Sequence, residues 1–376
     1  MTTRPDLDPR RRIARLRLAA QRLTGARADS PAESVRHMLA MQAQDYPGVK
    51  WAVGLRTGAT EAEVEAACDA GQIVRSWPMR GTLHLVAAED LPWMLDLTAD
   101  RSTASAAQRR AILGITLEEI ERARELAVDA LPERSTLTRA ALLETMDAGG
   151  VSTAGQRGYH LLWFLAQTGT LVLGATEGRQ QTYARLEAWV PNPRRLERDE
   201  ALGELALRYY RSHGPAGVDD LARWTGLTVR DVRRGIAVAG RGLATVELGG
   251  RAYLAGADAV DGGVDAAAIE AADAGVLLLP GFDEYILGYK DRSAMLAPEH
   301  SQAIVPGNNG MFKSTIVVDG EVVGTWSKKV GARGVTVEPA PFDALSSRVA
   351  SDVTEAVGAY GRFLGVPAGM RPAAFT

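Results

Sequence analysis

The chain has 376 residues, of which 46% are hydrophobic and 24% charged, and its formal net charge is -3. These totals are typical of a globular protein with two or three domains. The slightly negative net charge excludes a surface that is basic throughout, so any contact with a polyanion must be made by a localised basic region. Cys68 is the single cysteine and the five histidines are scattered, which excludes an internal disulfide and predicts neither a bound metal nor a cofactor.

The first predicted module, residues 1–100, opens with a basic helix: no acidic residue lies between Pro9 and Ala28. A second helix is expected to start where Ser30, Pro31 and Glu33 supply a cap, and a third where Thr60 precedes Glu63. Val35, Met38, Leu39 and Gln42 fall on one stripe of a continuous helix. The segments 73–77 and 81–86 are predicted to be paired strands.

The next two modules share one pattern, which is a helix, a tight turn, a second helix and a strand hairpin. In residues 196–260 the helices flank Gly226-Leu227, Thr228 with Asp231 caps the second helix, and Gly249-Gly250 turns the hairpin. This is the pattern of a winged helix. In residues 101–195 the helices are expected at 140–146 and 155–167, with strands flanking 174–178.

Beyond an alanine- and glycine-rich linker from Ala255 to Gly275, residues 261–376 change to strand-rich texture. Strands are expected at 276–279, 314–318 and 321–326, and Asp319-Gly320 is a strong hairpin turn between the last two. Apolar residues at helical spacing predict a closing helix over 342–363. The predicted fold class is α+β, with three tandem winged-helix modules followed by a β-rich C-terminal unit with a closing helix.

Gln42 and Gln44 are the first candidates for chemistry. Because Tyr46 precedes Pro47, the helix is expected to fail near Gln44. In extended backbone, residues two apart point to the same side, so two amides would converge on one small ligand such as a water. The alternative is that Gln42 caps a helix end and Gln44 is solvated. Asp45 offers a weak base or, beside Tyr46-Pro47, a turn hydrogen bond.

Three segments stand out by their order and spacing: Met41-Gln42-Ala43-Gln44-Asp45, Ser76-Trp77-Pro78-Met79-Arg80-Gly81-Thr82-Leu83-His84-Leu85, and Leu279-Pro280-Gly281-Phe282-Asp283-Glu284-Tyr285 with its continuation to Arg292. Together they resemble the winged-helix DNA glycosylases of the AlkZ and YcaQ type. The resemblance covers nearly the whole chain. It implies excision of alkylated bases and unhooking of interstrand crosslinks, and it implies that Gln42 and Gln44 form the catalytic motif.

Two amides suit this chemistry because a purine alkylated at N7 or N3 is already cationic and leaves readily. The carbonyls would hold a water and stabilise the oxocarbenium-like centre, an effect of roughly 3 kcal/mol per well-placed group. Asp45 and His84 are possible accessory residues, His84 being otherwise a hydrogen-bonded strand histidine. A Schiff-base lyase needs a lysine, and none lies between Lys50 and Lys290 in the sequence, so a monofunctional, metal-independent hydrolase is expected.

The expected partner is double-stranded DNA carrying alkyl or crosslink adducts. The residues predicted to contact it are Arg11, Arg15, Arg157, Tyr159, His160, Lys313, Lys328 and Lys329. For the arginines, the alternative is that they lie on a solvated helix face. The resemblance implies that the hairpin carrying Trp326 enters the DNA groove. Trp326 is then either a wedge in that groove or part of the core. No apolar run reaches the ~18 residues of a membrane span, and no secretory leader is apparent, so a cytoplasmic location is expected. The protein is also expected to be a monomer and to associate with the nucleoid. A non-catalytic winged-helix transcription regulator is the alternative function.

Overall fold

The computed structural model describes residues 8–178, 180–260, 274–331 and 333–371. Contacts divide the chain into two compact units: unit 1 is Met1–Val64 with Gly203–Thr376, and unit 2 is Glu65–Leu202. Both contain helices and strands, which confirms the mixed α+β class. Of the predicted linker, residues 261–273 lie outside the described residues. Within the described ranges, no helix combines the length and the apolarity needed to cross a membrane.

The helices and strands follow one another along the whole chain. The helices are α1 (Pro9–Ala20), α2 (Pro31–Met38), α3 (Tyr46–Thr57), α4 (Glu61–Asp69), α5 (Leu91–Ser105), α6 (Ala107–Ile112), α7 (Leu117–Ala130), α8 (Arg139–Ala148), α9 (Arg157–Gln167), α10 (Leu186–Trp189), α11 (Arg198–His213), α12 (Val218–Thr225), α13 (Val229–Ala239), α14 (Ala257–Val260), α15 (Glu284–Leu287), α16 (Ser301–Ile304) and α17 (Ser347–Leu364). The strands are β1 (Met41–Gln42), β2 (Ile73–Met79), β3 (Thr82–Ala87), β4 (Leu137–Thr138), β5 (Leu171–Glu177), β6 (Gln180–Arg185), β7 (Leu243–Leu248), β8 (Arg251–Gly256), β9 (Val276–Leu279), β10 (Thr315–Val318), β11 (Glu321–Gly331), β12 (Gly334–Pro341) and β13 (Ala368–Met370).

Unit 2 is built on antiparallel strands in the order β3-β2-β5-β6-β4. The predicted pairing of 73–77 with 81–86 is confirmed, with Ser76 opposite His84 and a turn at Arg80-Gly81, both at positive φ. Helices α7, α8 and α9 cover this sheet with a continuous apolar core. The helices expected at 140–146 and 155–167 are confirmed as α8 and α9, and the predicted 174–178 turn is shorter, because β5 runs to Glu177.

The strand-rich part of unit 1 is a five-stranded sheet in the order β13-β12-β11-β10-β9. The Asp319-Gly320 turn is confirmed, with φ of 52° and 90°, as favoured hairpin turns require. Strand β11 runs past Trp326 to Gly331 and pairs with β12 in a second hairpin. The closing helix α17 begins at Ser347, five residues later than predicted, because the Ser346 hydroxyl caps it there by accepting from Val349.

Helices α12 and α13 and the β7–β8 hairpin confirm the elements predicted between 218 and 254. Gly226 ends α12 in the left-handed conformation at φ 76°, and the Thr228 hydroxyl caps α13 by accepting the Asp231 N–H at 3.1 Å. Gly249 and Gly250 turn the hairpin at φ 59° and 74°. The glycines and caps therefore fix this segment locally, as the sequence indicates.

The chain around Gln42 departs from the predicted continuous helix. Helix α2 ends at Met38, because Leu39 adopts φ 67° and ψ -51° and the Ala40 N–H bonds to the Met38 carbonyl at 2.8 Å. This is the geometry of a γ-turn, which is strained for a branched side chain. The single stripe through Val35 and Gln42 was therefore a wrong prediction. The extended alternative is confirmed, since Met41–Gln42 is a strand.

Candidate active site

The side chains of Gln42 and Gln44 meet at the surface of unit 1. Gln42 Nε2 donates to Gln44 Oε1 at 2.5 Å, and the Gln44 backbone N–H donates to Gln42 Oε1 at 3.1 Å. Gln42 is 5% exposed, whereas Gln44 is exposed. The two side chains lie together, as the extended alternative predicts, and they bond to each other, so Gln44 is exposed but not merely solvated. Their convergence on a small ligand such as a water stays a prediction.

Hydrogen-bond logic fixes both carboxamide orientations. A backbone N–H can only donate, so the Gln42 atom that faces Gln44 N must be the carbonyl oxygen, and the other Gln42 atom must then be the donor to Gln44 Oε1. Each side-chain carbonyl oxygen has two lone pairs and uses one of them to accept a hydrogen bond from the other glutamine. The pair therefore keeps one acceptor position on each side chain for a water or a cationic centre.

The carboxylate of Glu284 supports the Gln42–Gln44 segment by bonding to its backbone. Its Oε1 accepts the Gln42 backbone N–H at 2.8 Å, and its Oε2 accepts the Trp224 indole N–H at 2.8 Å. His213 Nε2 lies 3.7 Å from Oε2, and the carboxylate and the imidazole are both almost completely buried. Burial lowers the pKa of His213, against the opposing effect of Glu284. The imidazole is therefore neutral at pH 7.

A buried ion pair anchors the loop that carries Glu284. Arg56 on α3 donates to both oxygens of Asp283, at 2.9 and 3.0 Å, and to Gln21 Oε1 at 2.7 Å. Asp283 also accepts the Tyr285 N–H at 2.9 Å and so caps α15. Both members of the pair are 0 to 1% exposed at the side chain. The network joins α1, α3 and the 280–285 segment into one rigid support.

A shallow crevice opens beside Gln42 in unit 1. The residues that line it are Met41, Gln42, Val49, Ala52, Pro280, Gly281, Phe282, Asp283 and Glu284. Phe282 adopts φ 63°, and a Cβ on Gly281 would lie 2.7 Å from the Phe312 carbonyl, so the loop is tightly packed there.

Asp45 makes the turn hydrogen bond that the sequence offered as its alternative role. Its Oδ1 accepts the Gly48 N–H at 3.2 Å, and the residue is the N-cap of α3. A carboxylate at this position satisfies an otherwise orphaned N–H and suits the helix dipole. The cap also sets the direction in which the chain leaves Gln44.

Two lysines, Lys50 and Lys328, lie near this motif, although no lysine occurs between Lys50 and Lys290 in the sequence. The Lys328 amine donates to the Tyr360 hydroxyl at 2.6 Å. Burial lowers the pKa of Lys328, while the nearby Asp45 and Glu61 carboxylates act to raise it. Lys50 is 5% exposed and pairs with Glu61 at 2.7 Å. Distance along the chain hid this arrangement, because β11 and α3 pack together through α17. Both amines have protein partners in the structure.

The predicted residues of unit 2 are engaged with the protein itself. His84 is fully buried, with Nδ1 on the Thr82 carbonyl at 2.8 Å and Nε2 facing the Arg80 guanidinium at 3.3 Å, so it is the hydrogen-bonded strand histidine. Arg157 donates to the carbonyls of 113, 114 and 152 and to Glu119 at 2.6 Å. His160 is buried, and burial with Arg110 and Arg109 lowers its pKa. Tyr159 is 51% exposed.

The predicted basic residues of unit 1 have mixed surroundings. Arg11 and Arg15 both bond to Asp319; the Arg15 side chain is 11% exposed and that of Arg11 53%. Although burial alone would raise it, these arginines hold the pKa of Asp319 below its usual value. Lys329 is solvent-facing and pairs with Glu338 at 3.0 Å, near the end of the second hairpin.

Lys313 is exposed at the loop before β10. Trp326 is core, 6% exposed, with its indole N–H on the Leu279 carbonyl at 2.8 Å. The core alternative for this tryptophan is therefore confirmed. The hairpin presents lysine to solvent, and its tryptophan faces inward.

Sequence reasoning missed the support beneath the motif. Arg56, Gln21 and Trp224 lie on elements more than 30 residues apart along the chain, so no local pattern joined them. A signal was present in the sequence: Arg56 follows the mostly apolar stretch 51–55 of α3, and Asp283-Glu284 comes shortly after the apolar run of β9. A buried charge of this kind predicts a partner. Across the described ranges, no three His, Cys, Asp or Glu side chains group in a way that would hold a metal.

Comparison with known proteins shows the family of the chain. The model of the AlkZ-like DNA glycosylase family matches residues 35–363, and the chain belongs to that family. The interstrand DNA cross-link repair glycosylase of Streptomyces sahachiroi is 27% identical over 333 residues, covering 84% of this chain and 87% of that protein.

The solved structure of Streptomyces sahachiroi DNA glycosylase AlkZ is similar with a TM-score of 0.78 at 24% identity, and the match covers 96% of this chain and 99% of that one. At this identity the match supports the fold. The family match over residues 35–363 is what defines the class of protein.

Proposed function

We propose that this protein is a monofunctional DNA glycosylase that hydrolyses the N-glycosidic bond of cationic alkylated purines, N7-alkylguanine and N3-alkyladenine, and that it unhooks interstrand crosslinks. The observation that carries the proposal is the pair of carboxamides of Gln42 and Gln44, locked in one orientation with one acceptor position left on each. The relative from Streptomyces sahachiroi, an interstrand DNA cross-link repair glycosylase by name, supports the crosslink substrate.

The chemistry needs negative dipoles and an oriented water, not a strong acid. A cationic purine leaves with its electron pair, and the positive charge passes to the sugar. The carbonyl oxygens of Gln42 and Gln44 then stabilise that charge and direct a water at C1′, and they need no reorganisation because the pair is already fixed. The water oxygen forms the new bond to C1′ and its proton passes to solvent. No metal and no cofactor take part in this scheme. Asp45 acts as the α3 cap and His84 as a structural histidine.

The same proposal assigns the DNA contacts and the architecture. Exposed Tyr159, Lys313 and Lys329, with the partly exposed Arg11, are the residues best suited to meet DNA. Three tandem winged helices, in residues 1–100, 101–195 and 196–260, would present them, with the β-rich domain at 261–376. The protein would act as a monomer on the nucleoid in the cytoplasm.

The test is base release from a duplex that carries a single N7-methylguanine. Gln42→Ala and Gln44→Ala should each lower the single-turnover excision rate about 100-fold, since one well-placed dipole is worth roughly 3 kcal/mol in the transition state. Affinity for the duplex should stay within a few-fold of the parent protein. Gln302→Ala, at an exposed glutamine outside the motif, is the matched control and should excise normally.

Two further arms separate the alternatives. Borohydride should trap no protein–DNA adduct, because Lys50 and Lys328 are held by Glu61 and Tyr360; a trapped adduct would make the protein a lyase. Duplex binding without excision of any cationic adduct would support the transcription regulator and would defeat the glycosylase proposal.

A further inference from the structure

The catalytic pair is neutral, although the centre it must stabilise is cationic. Gln42 and Gln44 offer amide dipoles, and Asp45 uses its carboxylate to cap α3. A full negative charge beneath the pair would act on a developing cation far more strongly than a dipole at the same distance. The question is whether unit 1 holds such a charge next to the motif.

Glu284 is such a group. Its Oε1 lies 2.8 Å from the Gln42 backbone nitrogen, so the carboxylate is one hydrogen bond away from the residue that carries the carboxamide. The residue is 1% exposed and belongs to the wall of the crevice beside Gln42. Screening by solvent is therefore weak along this path.

Each carboxylate oxygen of Glu284 accepts one hydrogen bond, Oε1 from the Gln42 N–H and Oε2 from the Trp224 Nε1–H. A proton on either oxygen would therefore face a donor. His213 Nε2 lies 3.7 Å from Oε2, and the Arg56 guanidinium is engaged by Asp283 and Gln21.

We propose that the buried Glu284 carboxylate is a positioning residue that fixes the backbone of Gln42 and supplies the counter-charge for the cationic transition state. The proposal rests on the proposed glycosylase function and deepens it. The strained turn at Leu39 leaves the chain needing a second anchor before Gln44, and the hydrogen bond from Gln42 N to Glu284 is that anchor. Glu284 acts through Gln42, whose backbone N–H it accepts.

The test removes the charge while keeping the shape. In Glu284→Gln the amide oxygen can still accept the Gln42 N–H, but the amide NH2 would face the Trp224 N–H, donor to donor. The pair Glu284→Gln with Trp224→Phe removes that conflict, and its NH2 faces the neutral His213 imidazole. Trp224→Phe alone keeps the charge and is the matched control.

The expected result is a 10- to 100-fold lower single-turnover excision rate in the double variant than in Trp224→Phe, with the dissociation constant for lesion-bearing duplex within threefold. Loss of rate without loss of binding separates transition-state stabilisation from general damage to the site. Glu284→Gln alone should show the same rate loss with a lower melting temperature, which keeps the test available if the double variant folds poorly.

Excision by either folded variant within twofold of its parent would overturn the role of Glu284. Failure of the unmodified protein and of Trp224→Phe to excise at all would instead overturn the glycosylase proposal itself. The two failures are therefore distinguishable.

Discussion

The buried pair between Arg56 and Asp283 gives a sharp test of how the site is supported. The perturbation is Asp283→Asn, which keeps the size of the side chain and removes its charge. Of the two charge-assisted hydrogen bonds, at 2.9 and 3.0 Å, only one can still be accepted by the amide oxygen, while the amide NH2 faces the other Arg56 N–H, and the Arg56 charge is left without a counter-ion in a fully buried place. Breaking a buried pair in this way typically costs about 3 to 5 kcal/mol.

The isosteric change should fall at the lower end, about 3 kcal/mol, because the amide oxygen that Asp283→Asn retains can still cap α15. At about 2 to 4 °C per kcal/mol for a unit of this size, the melting temperature should fall by roughly 6 to 12 °C. The assay is thermal and denaturant unfolding at pH 7. A double-mutant cycle with Arg56→Met should show that the two losses are not additive, since the second change removes the stranded charge.

The matched control is Asp219→Asn, the same substitution in a pair with Lys290 whose side chains are 58 to 60% exposed. It should leave the melting temperature unchanged within error. A loss below about 1 kcal/mol for Asp283→Asn, or full additivity with Arg56→Met, would refute the view that this pair is essential to the fold around the motif.

Three further outcomes are expected. Burial lowers the pKa of His37 to about 4, so between pH 6.5 and 4 the unfolded chain binds a proton that the folded chain does not, and stability should fall by about 3 kcal/mol as the pH drops. His37→Gln should flatten that pH dependence, and an unchanged curve would contradict it. Asp45→Asn should excise the base at a rate within a few-fold of the parent protein, because Asp45 serves as the cap of α3. Asp45→Ala should lower the free energy of unfolding by about 1 kcal/mol. Abolished excision in Asp45→Asn would instead make Asp45 the catalytic base. Lys329→Ala should reduce the slope of log affinity against log salt concentration by about 0.9. Lys328→Met should reduce it by less than half of that, because the Lys328 amine is directed at Tyr360. Equal reductions in the two variants would show that both amines contact phosphate.

The sequence predicted what is decided locally. The Ser30 and Thr228 caps, the Asp319-Gly320 turn and the Gly249-Gly250 turn each depend on residues within four positions, and each is present. Turn and cap chemistry is legible because only a few residue types satisfy those dihedrals and orphaned N–H groups.

The sequence did not predict what distant residues decide. Periodicity continued the helix through Leu39, but a strained turn and the bond from Gln42 to Glu284, 242 positions away, make the chain extended there. In the same way Arg15 meets Asp319 across 304 positions, so a helix face expected to be open to phosphate is partly occupied. Long-range pairing of this kind leaves no periodic trace.

The most direct measurement of the central claim is the single-turnover rate of N7-methylguanine release by the parent protein, by Gln42→Ala and by Gln44→Ala on one duplex at saturating protein. The account predicts about a 100-fold lower rate in each variant, with unchanged melting temperature and duplex affinity within a few-fold. Release at the parent rate in both variants would contradict the assignment of the two carboxamides to the reaction.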